Sequence, residues 1–190
     1  MSLKNSLPHI LVSPITTIWP NMATFQTNID YMGDKMEESS STRKYALLKS
    51  DSSMETVVFT TNHRAQFDEI DPFGHLNNTR YLSYINQHRF EGMRKDLNLN
   101  IKNISAMPFA FYTKKFEIEY HNAIFMDQEF IITSVIENLG ISSARVNVLF
   151  LSTKNKILAE AVITLVCVDK STLQSTQWPT TFLDLFFRHI

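Results

Sequence analysis

The chain has 190 residues, 44% hydrophobic and 19% charged, and its 18 Lys and Arg against 19 Asp and Glu give a net charge of −1. That balance fits one soluble globular domain with a short appendage. It excludes wholesale disorder, coiled coils and multi-span membrane chains, and it leaves no electrostatic footprint for nucleic acid or an anionic membrane. The lone cysteine, Cys167, excludes an internal disulfide framework and a cysteine-based zinc cluster. The four glycines, Gly33, Gly74, Gly92 and Gly140, write neither a dinucleotide fingerprint nor a phosphate loop. No cofactor and no metal site is expected, and a reducing, cytoplasmic location is consistent with the cysteine usage.

Residues 1–54 read as an N-terminal extension, irregular or partly disordered. Asn5 to Ile29 carries no charged residue, but Pro8, Pro14 and Pro20 interrupt it, so it supplies neither a membrane span nor the unbroken apolar centre of a secretory signal. A targeting role for the extension stays open. Asp34 to Ser53 is rich in Ser and charge and reads as a linker.

Regular patterning begins near Glu55 and defines a domain over 55–170. Val57, Phe59, Thr61, His63, Ala65 and Phe67 alternate with more polar neighbours, the period of a strand with one wetter face. Asp71-Pro72-Phe73-Gly74 is a turn signal. A helix is expected from Asn77-Asn78-Thr79 to about Leu97, capped by Asn78 or Thr79, with Tyr81, Leu82, Tyr84, Ile85, His88 and Met93 at helical spacing and Gly92 implying a close approach. Strands follow around Phe116–Tyr120, Phe130–Ile136 and Ala144–Phe150, with turns at Asn138-Leu139-Gly140 and Lys154-Asn155-Lys156. Ile157 to Val168 is almost wholly apolar and predicts a central strand buried on both faces. The order strand, helix, strands predicts an α+β domain, one antiparallel sheet with a long helix buried against it. Residues 171–190 form a tail, in which Thr180 to Phe187 suggests a short amphipathic helix.

The densest polar cluster is Asp71-Pro72-Phe73-Gly74-His75-Leu76-Asn77-Asn78-Thr79-Arg80-Tyr81. Each half is a good structural device by itself, a β-turn and then a helix cap. Together they put a carboxylate, an imidazole and two carboxamides at a helix N-terminus. There, amides can hold an oxyanion while the acid attacks a carbonyl or activates water. Other polar positions read as structural: His121-Asn122 as a turn, Glu117 and Glu119 as a solvated face, Cys167 as inert core.

The string Phe67-x-x-x-Asp71-Pro72-x-Gly74-His75-x-Asn77-Asn78-x-x-Tyr81 resembles the active-site signature of hotdog-fold thioesterases, the 4-hydroxybenzoyl-CoA thioesterase superfamily and the plant acyl-acyl-carrier-protein thioesterases. The resemblance runs from about Glu55 to Asp169. It implies a sheet wrapped around one long central helix, active sites at a subunit interface, and hydrolysis of an acyl-CoA or acyl-carrier-protein thioester by a homodimer or homotetramer. It further implies Asp71 as nucleophile or general base and His75 as its catalytic companion, with Asn77, Asn78 and Tyr81 at the substrate. Two positions depart from the plant-type string: Phe73 stands where those enzymes have Asn, and Ala123 where they have Glu. The simpler scheme with Asp71 as the main catalytic group fits better. Two alternatives are a non-catalytic acyl-binding module, against which the acid at Asp71 counts, and a hydratase or dehydratase. For the latter, His75 comes one position too soon after Asp71, and no Asn-Pro follows.

Overall fold

The computed structural model describes residues 54–189, so the expectations placed on residues 1–53 lie outside it. Seven strands and three helices follow in order: β1 (Met54–Thr56), β2 (Phe59–Arg64), α1 (Asn78–Asp96), α2 (Ile101–Ala106), β3 (Phe109–Tyr120), β4 (Glu129–Leu139), β5 (Ser143–Ser152), β6 (Ile157–Asp169), α3 (Thr180–Leu183) and β7 (Phe187–His189). Strands β2, β4, β5, β6 and β3 form one sheet in that order, every neighbouring pair antiparallel. Helix α1 lies on this sheet. The α+β architecture expected from the element order is the one observed.

α1 buries Tyr81, Tyr84, Ile85, His88, Gly92 and Met93, one stripe of a 3.6-residue period, against the sheet. A single core joins Tyr81, Tyr84 and Ile85 to Phe130, Ile132, Val148, Phe150 and Ile163. Gly92 is where the helix comes closest to β2. A Cβ there would lie 2.4 Å from Cγ and 2.8 Å from Cβ of Phe59, so no larger residue fits without displacing the ring. The close approach expected at Gly92 is therefore real.

Several boundaries differ from the sequence reading, each for a local reason. The helix is capped by Asn77, whose carboxamide oxygen accepts from the Thr79 N–H at 2.9 Å and the Thr79 hydroxyl at 2.8 Å, not by Asn78 or Thr79. β2 stops at Arg64, and a 3₁₀ turn over Phe67–Glu69 takes the residues whose alternation continued the strand pattern. β3 begins at Phe109, earlier than its pattern shows, because a register shift between Thr113 and Lys115 breaks the alternation. β6 is not buried on both faces. Leu158, Ala161, Ile163, Leu165 and Cys167 are buried, while Val162, Thr164, Val166 and Val168 on the other face stay partly exposed. α2 had no sequence signal beyond its cap, where Asn100 and Asn103 exchange side chain-to-amide hydrogen bonds at 3.0 and 3.2 Å.

After β6 the chain turns back onto the core. Trp178, Phe182 and Leu183 are buried, and Phe182 stacks on Trp178 and Phe111. β7 then pairs with β1 in a separate two-stranded ribbon.

Candidate active site

Between β2 and α1 the chain makes a tight excursion. The Gly74 N–H donates to the Asp71 carbonyl at 3.0 Å, and the Asp71 N–H donates to the His75 carbonyl at 2.9 Å. Gly74 takes φ +87°, a conformation L side chains rarely adopt, so glycine closes this turn. Leu76, fully buried, pins the excursion to the body of the domain, its N–H donating to the Ile124 carbonyl at 2.7 Å.

The turn folds Asp71 and His75 together. Asp71 Oδ1 accepts from the Phe73 N–H at 2.8 Å, and Oδ2 lies 3.3 Å from His75 Nδ1. The carboxylate is held from both sides and is 14% exposed, against 39% for the imidazole. The Phe73 ring stacks on His75, and His75 bridges to Phe125 across the strand-like backbone. Around this pair Phe67, Phe73, Phe125 and Met126 stand in solvent, Phe73 at 84% exposure and Phe67 at 82%. Exposed aromatics clustered beside a partly buried acid are the pattern of a contact surface rather than of ordinary skin.

The remaining residues of the motif divide. Asn77 spends its carboxamide oxygen on the helix cap. Asn78 is exposed in the first turn of α1. Its N–H has no acceptor among the described residues, whereas the Thr79 N–H is taken by the Asn77 side chain and the Arg80 N–H by the Asn77 carbonyl at 2.8 Å. Tyr81 points into the core, in edge contact with Tyr120 (ring centroids 4.9 Å apart) and against Phe150, and burial pushes its phenol up to about 12. The structure thus joins Asp71 to His75 and leaves Tyr81 packed elsewhere. Cys167 is fully buried and its thiol is pushed up to about 11 by the same desolvation.

A second polar assembly was not foreseen. Thr61 Oγ1 lies 2.7 Å from His63 Nε2 and 2.7 Å from His88 Nδ1, and His88 Nε2 lies 2.8 Å from Ser134 Oγ. His88 is wholly buried, and burial with His63 nearby pulls it down to about 3, so it is neutral at any ordinary pH. The Tyr84 hydroxyl extends the polar interior by donating to the Glu69 carboxylate, itself bound to the Gln66 N–H. The available signal was His88 falling on the apolar stripe of α1, because a buried imidazole requires partners.

Residues 65–186 match the model of the thioesterase-like superfamily. Among characterised proteins, the long-chain acyl-CoA thioesterase FadM of Escherichia coli (strain K12) is 29% identical over 104 residues, 54% of this chain and 77% of FadM. Among solved structures, the DHNA-CoA thioesterase of Staphylococcus aureus superposes with a TM-score of 0.61 at 12% identity, covering 68% of this chain and 88% of that one. The Staphylococcus aureus protein SAV2348, solved in complex with CoA, gives a TM-score of 0.63 at 13% identity over 71% of this chain and 85% of that one. At such identities the superpositions speak to the fold, which is the hotdog fold that the motif's resemblance implied. By its sequence over most of the described domain, this chain belongs to the thioesterase-like superfamily.

Proposed function

We propose that the chain hydrolyses an acyl-CoA thioester at the Asp71 turn. The observation that carries this reading is the Asp71–His75 pair, a carboxylate shielded from water and fixed by the Phe73 amide, with an imidazole 3.3 Å away, at the foot of a helix. Asp71 serves as nucleophile or general base, and His75 holds it and the incoming group in place. Acting as a base, Asp71 takes the proton of a water whose oxygen bonds to the thioester carbonyl carbon. The C–S bond then breaks, and the thiolate leaves with little need of a strong acid. The developing oxyanion has one candidate donor in the first turn of α1, the Asn78 N–H, because Asn77 consumes those of Thr79 and Arg80. The resemblance to FadM, a long-chain acyl-CoA thioesterase, and to a protein solved with CoA favours CoA over a carrier protein.

A homodimer is part of the proposal. β3 is an edge strand of 12 residues, and long open edges are normally paired or covered. Among the described residues no helix is long and apolar enough to cross a membrane. The test is release of free thiol from hexadecanoyl-CoA and from the same acyl group on a carrier protein, with light scattering on the same sample. Turnover of the CoA ester by a dimer is expected. A folded protein that turns over neither ester overturns the reading.

A further inference from the structure

A pocket opens away from the Asp71 turn, toward the C-terminal half of α1. Its free space, counting the part open to solvent at its mouth, is about 630 Å3. None of its walls comes from residues 60–88. Arg89 lies about 16 Å along α1 from Asn78 at 1.5 Å per residue. The β4 residues in its wall begin at Ser134, about 20 Å along the strand from Gln128 beside the Asp71 end. The walls are apolar, with Phe59, Phe111, Val146, Leu165, Phe182 and Phe186 among them.

Into this wall the fold places one cation. Arg89 is largely desolvated, which brings its guanidinium down to about 10, so it stays charged at neutral pH. It makes no hydrogen bond and no ion pair among the described residues, unlike Arg64, Arg80 and Arg145, each of which has a carboxylate. Two further polar groups share the pocket wall. The indole Nε1–H of Trp178 is buried with no acceptor. Ser134 ends the chain of hydrogen bonds through His88, and when His88 carries its proton on Nε2 the serine hydroxyl is free to donate. A partly buried, unpaired guanidinium and an orphaned indole N–H each cost stability unless something accepts from them. Nothing in an apolar wall does.

We propose that this pocket binds a long-chain carboxylate, its hydrocarbon tail on the aliphatic and aromatic walls and its carboxylate on Arg89. A single cation calls for a monoanion, and a planar carboxylate matches the guanidinium fork with two parallel hydrogen bonds. The ligand class is the free acid that thioester hydrolysis would release, but the site is separate from the Asp71 turn and its occupancy does not depend on hydrolysis there.

The test is calorimetric titration of the full chain with sodium dodecanoate and, as an uncharged probe of equal length, dodecanol, both below their aggregation limits. Saturable binding of one dodecanoate per chain is expected, at least tenfold tighter than dodecanol. Arg89→Met should remove that preference while leaving dodecanol binding unchanged, and Arg89→Lys should restore part of it. Without ligand, Arg89→Met should melt no lower than the parent, because it removes a partly buried charge that has no partner among the described residues. Asp71→Asn should bind dodecanoate as the parent does. Equal affinity for acid and alcohol, full dodecanoate affinity in Arg89→Met, no saturable binding by the parent, or loss of binding in Asp71→Asn would each overturn the proposal. The acid-to-alcohol comparison on the parent chain decides the matter even if the Arg89 variants do not fold.

Discussion

The two ends of α1 use the same residue types to opposite purposes. At the N-terminal end, His75 sits on a turn, partly in water, with a carboxylate 3.3 Å away and exposed aromatics around it. In the C-terminal half, His88 is sealed in the core among hydroxyl groups and no carboxylate hydrogen-bonds it. The first arrangement presents a charged group to something outside. The second satisfies both ring nitrogens internally and leaves nothing for a substrate to meet. What separates the two imidazoles is their partners and their access to water, not their identity.

The sharpest way to break that comparison is to neutralise the acid of the N-terminal pair. Asp71→Asn keeps the shape of the turn and can still accept from the Phe73 amide, but it cannot take a proton. Thioester hydrolysis should fall at least ~100-fold with the circular dichroism spectrum unchanged. His75→Ala should cost less, because it removes an orienting group and leaves the base. Near-parental turnover in Asp71→Asn would reduce the motif to a turn followed by a cap.

At the other end the expected losses are in stability. Gly92→Val would drive two methyl groups into the Phe59 ring, whose Cγ already lies 2.4 Å from where a Cβ would be. Overpacking of this kind costs about 1–3 kcal/mol, with a fall of roughly 2–4 °C in Tm for each kcal/mol. Trimming the ring should relieve part of that cost, so Gly92→Val should be better tolerated in a Phe59→Leu background than in the parent. Equal losses in both backgrounds would show that the helix does not rest on Phe59.

His88 gives a pH signature. Its folded value, about 3, lies below the ordinary 6.5, so between those limits the unfolded chain binds a proton that the folded chain refuses. Stability from this group is complete above pH 6.5 and is lost as pH falls toward 3, with a slope of about 1.4 kcal/mol per pH unit. His63, also lowered by burial, adds in the same direction. Urea midpoints between pH 7 and 4.5 should therefore fall less steeply for His88→Gln than for the parent. The Glu91 and Arg89 charges on the same helix remain in both proteins, so the difference in slope belongs to the imidazole.

The same contrast explains what could be read in the sequence. The Asp71 turn was legible because its parts lie within a few residues of one another, and a turn, an acid and a cap each leave a local mark. Helix α1 and the antiparallel run were legible from their periods. The Thr61–His88–Ser134 chain was not, since its members stand 27 and 46 residues apart and meet only once β2, β4 and α1 have packed. The cap moved from Asn78 to Asn77 because three adjacent polar residues offer the same chemistry, and only the path of the backbone chooses among them. β6 misled for a different reason. An unbroken apolar run looks the same whether the second face is covered or, as with Val162, Val166 and Val168, left partly open.

The smallest effect is expected at Cys167, and it matters because a thiol is the obvious rival to a carboxylate in acyl transfer. The side chain lies on the buried face of β6, wholly inaccessible, and its Sγ is 4.0 Å from the Gln177 carbonyl. Desolvation raises the thiol to about 11, so at pH 7 the thiolate is a minute fraction, and a thiol that ionises so little is neither nucleophile nor metal ligand. Cys167→Ala should leave kcat and KM for an acyl-CoA near the parental values, and the native protein should resist alkylation by iodoacetamide until it is unfolded. A large loss of turnover with the fold intact would move the chemistry from the exposed end of α1 into the core, and the contrast between the two ends would fail.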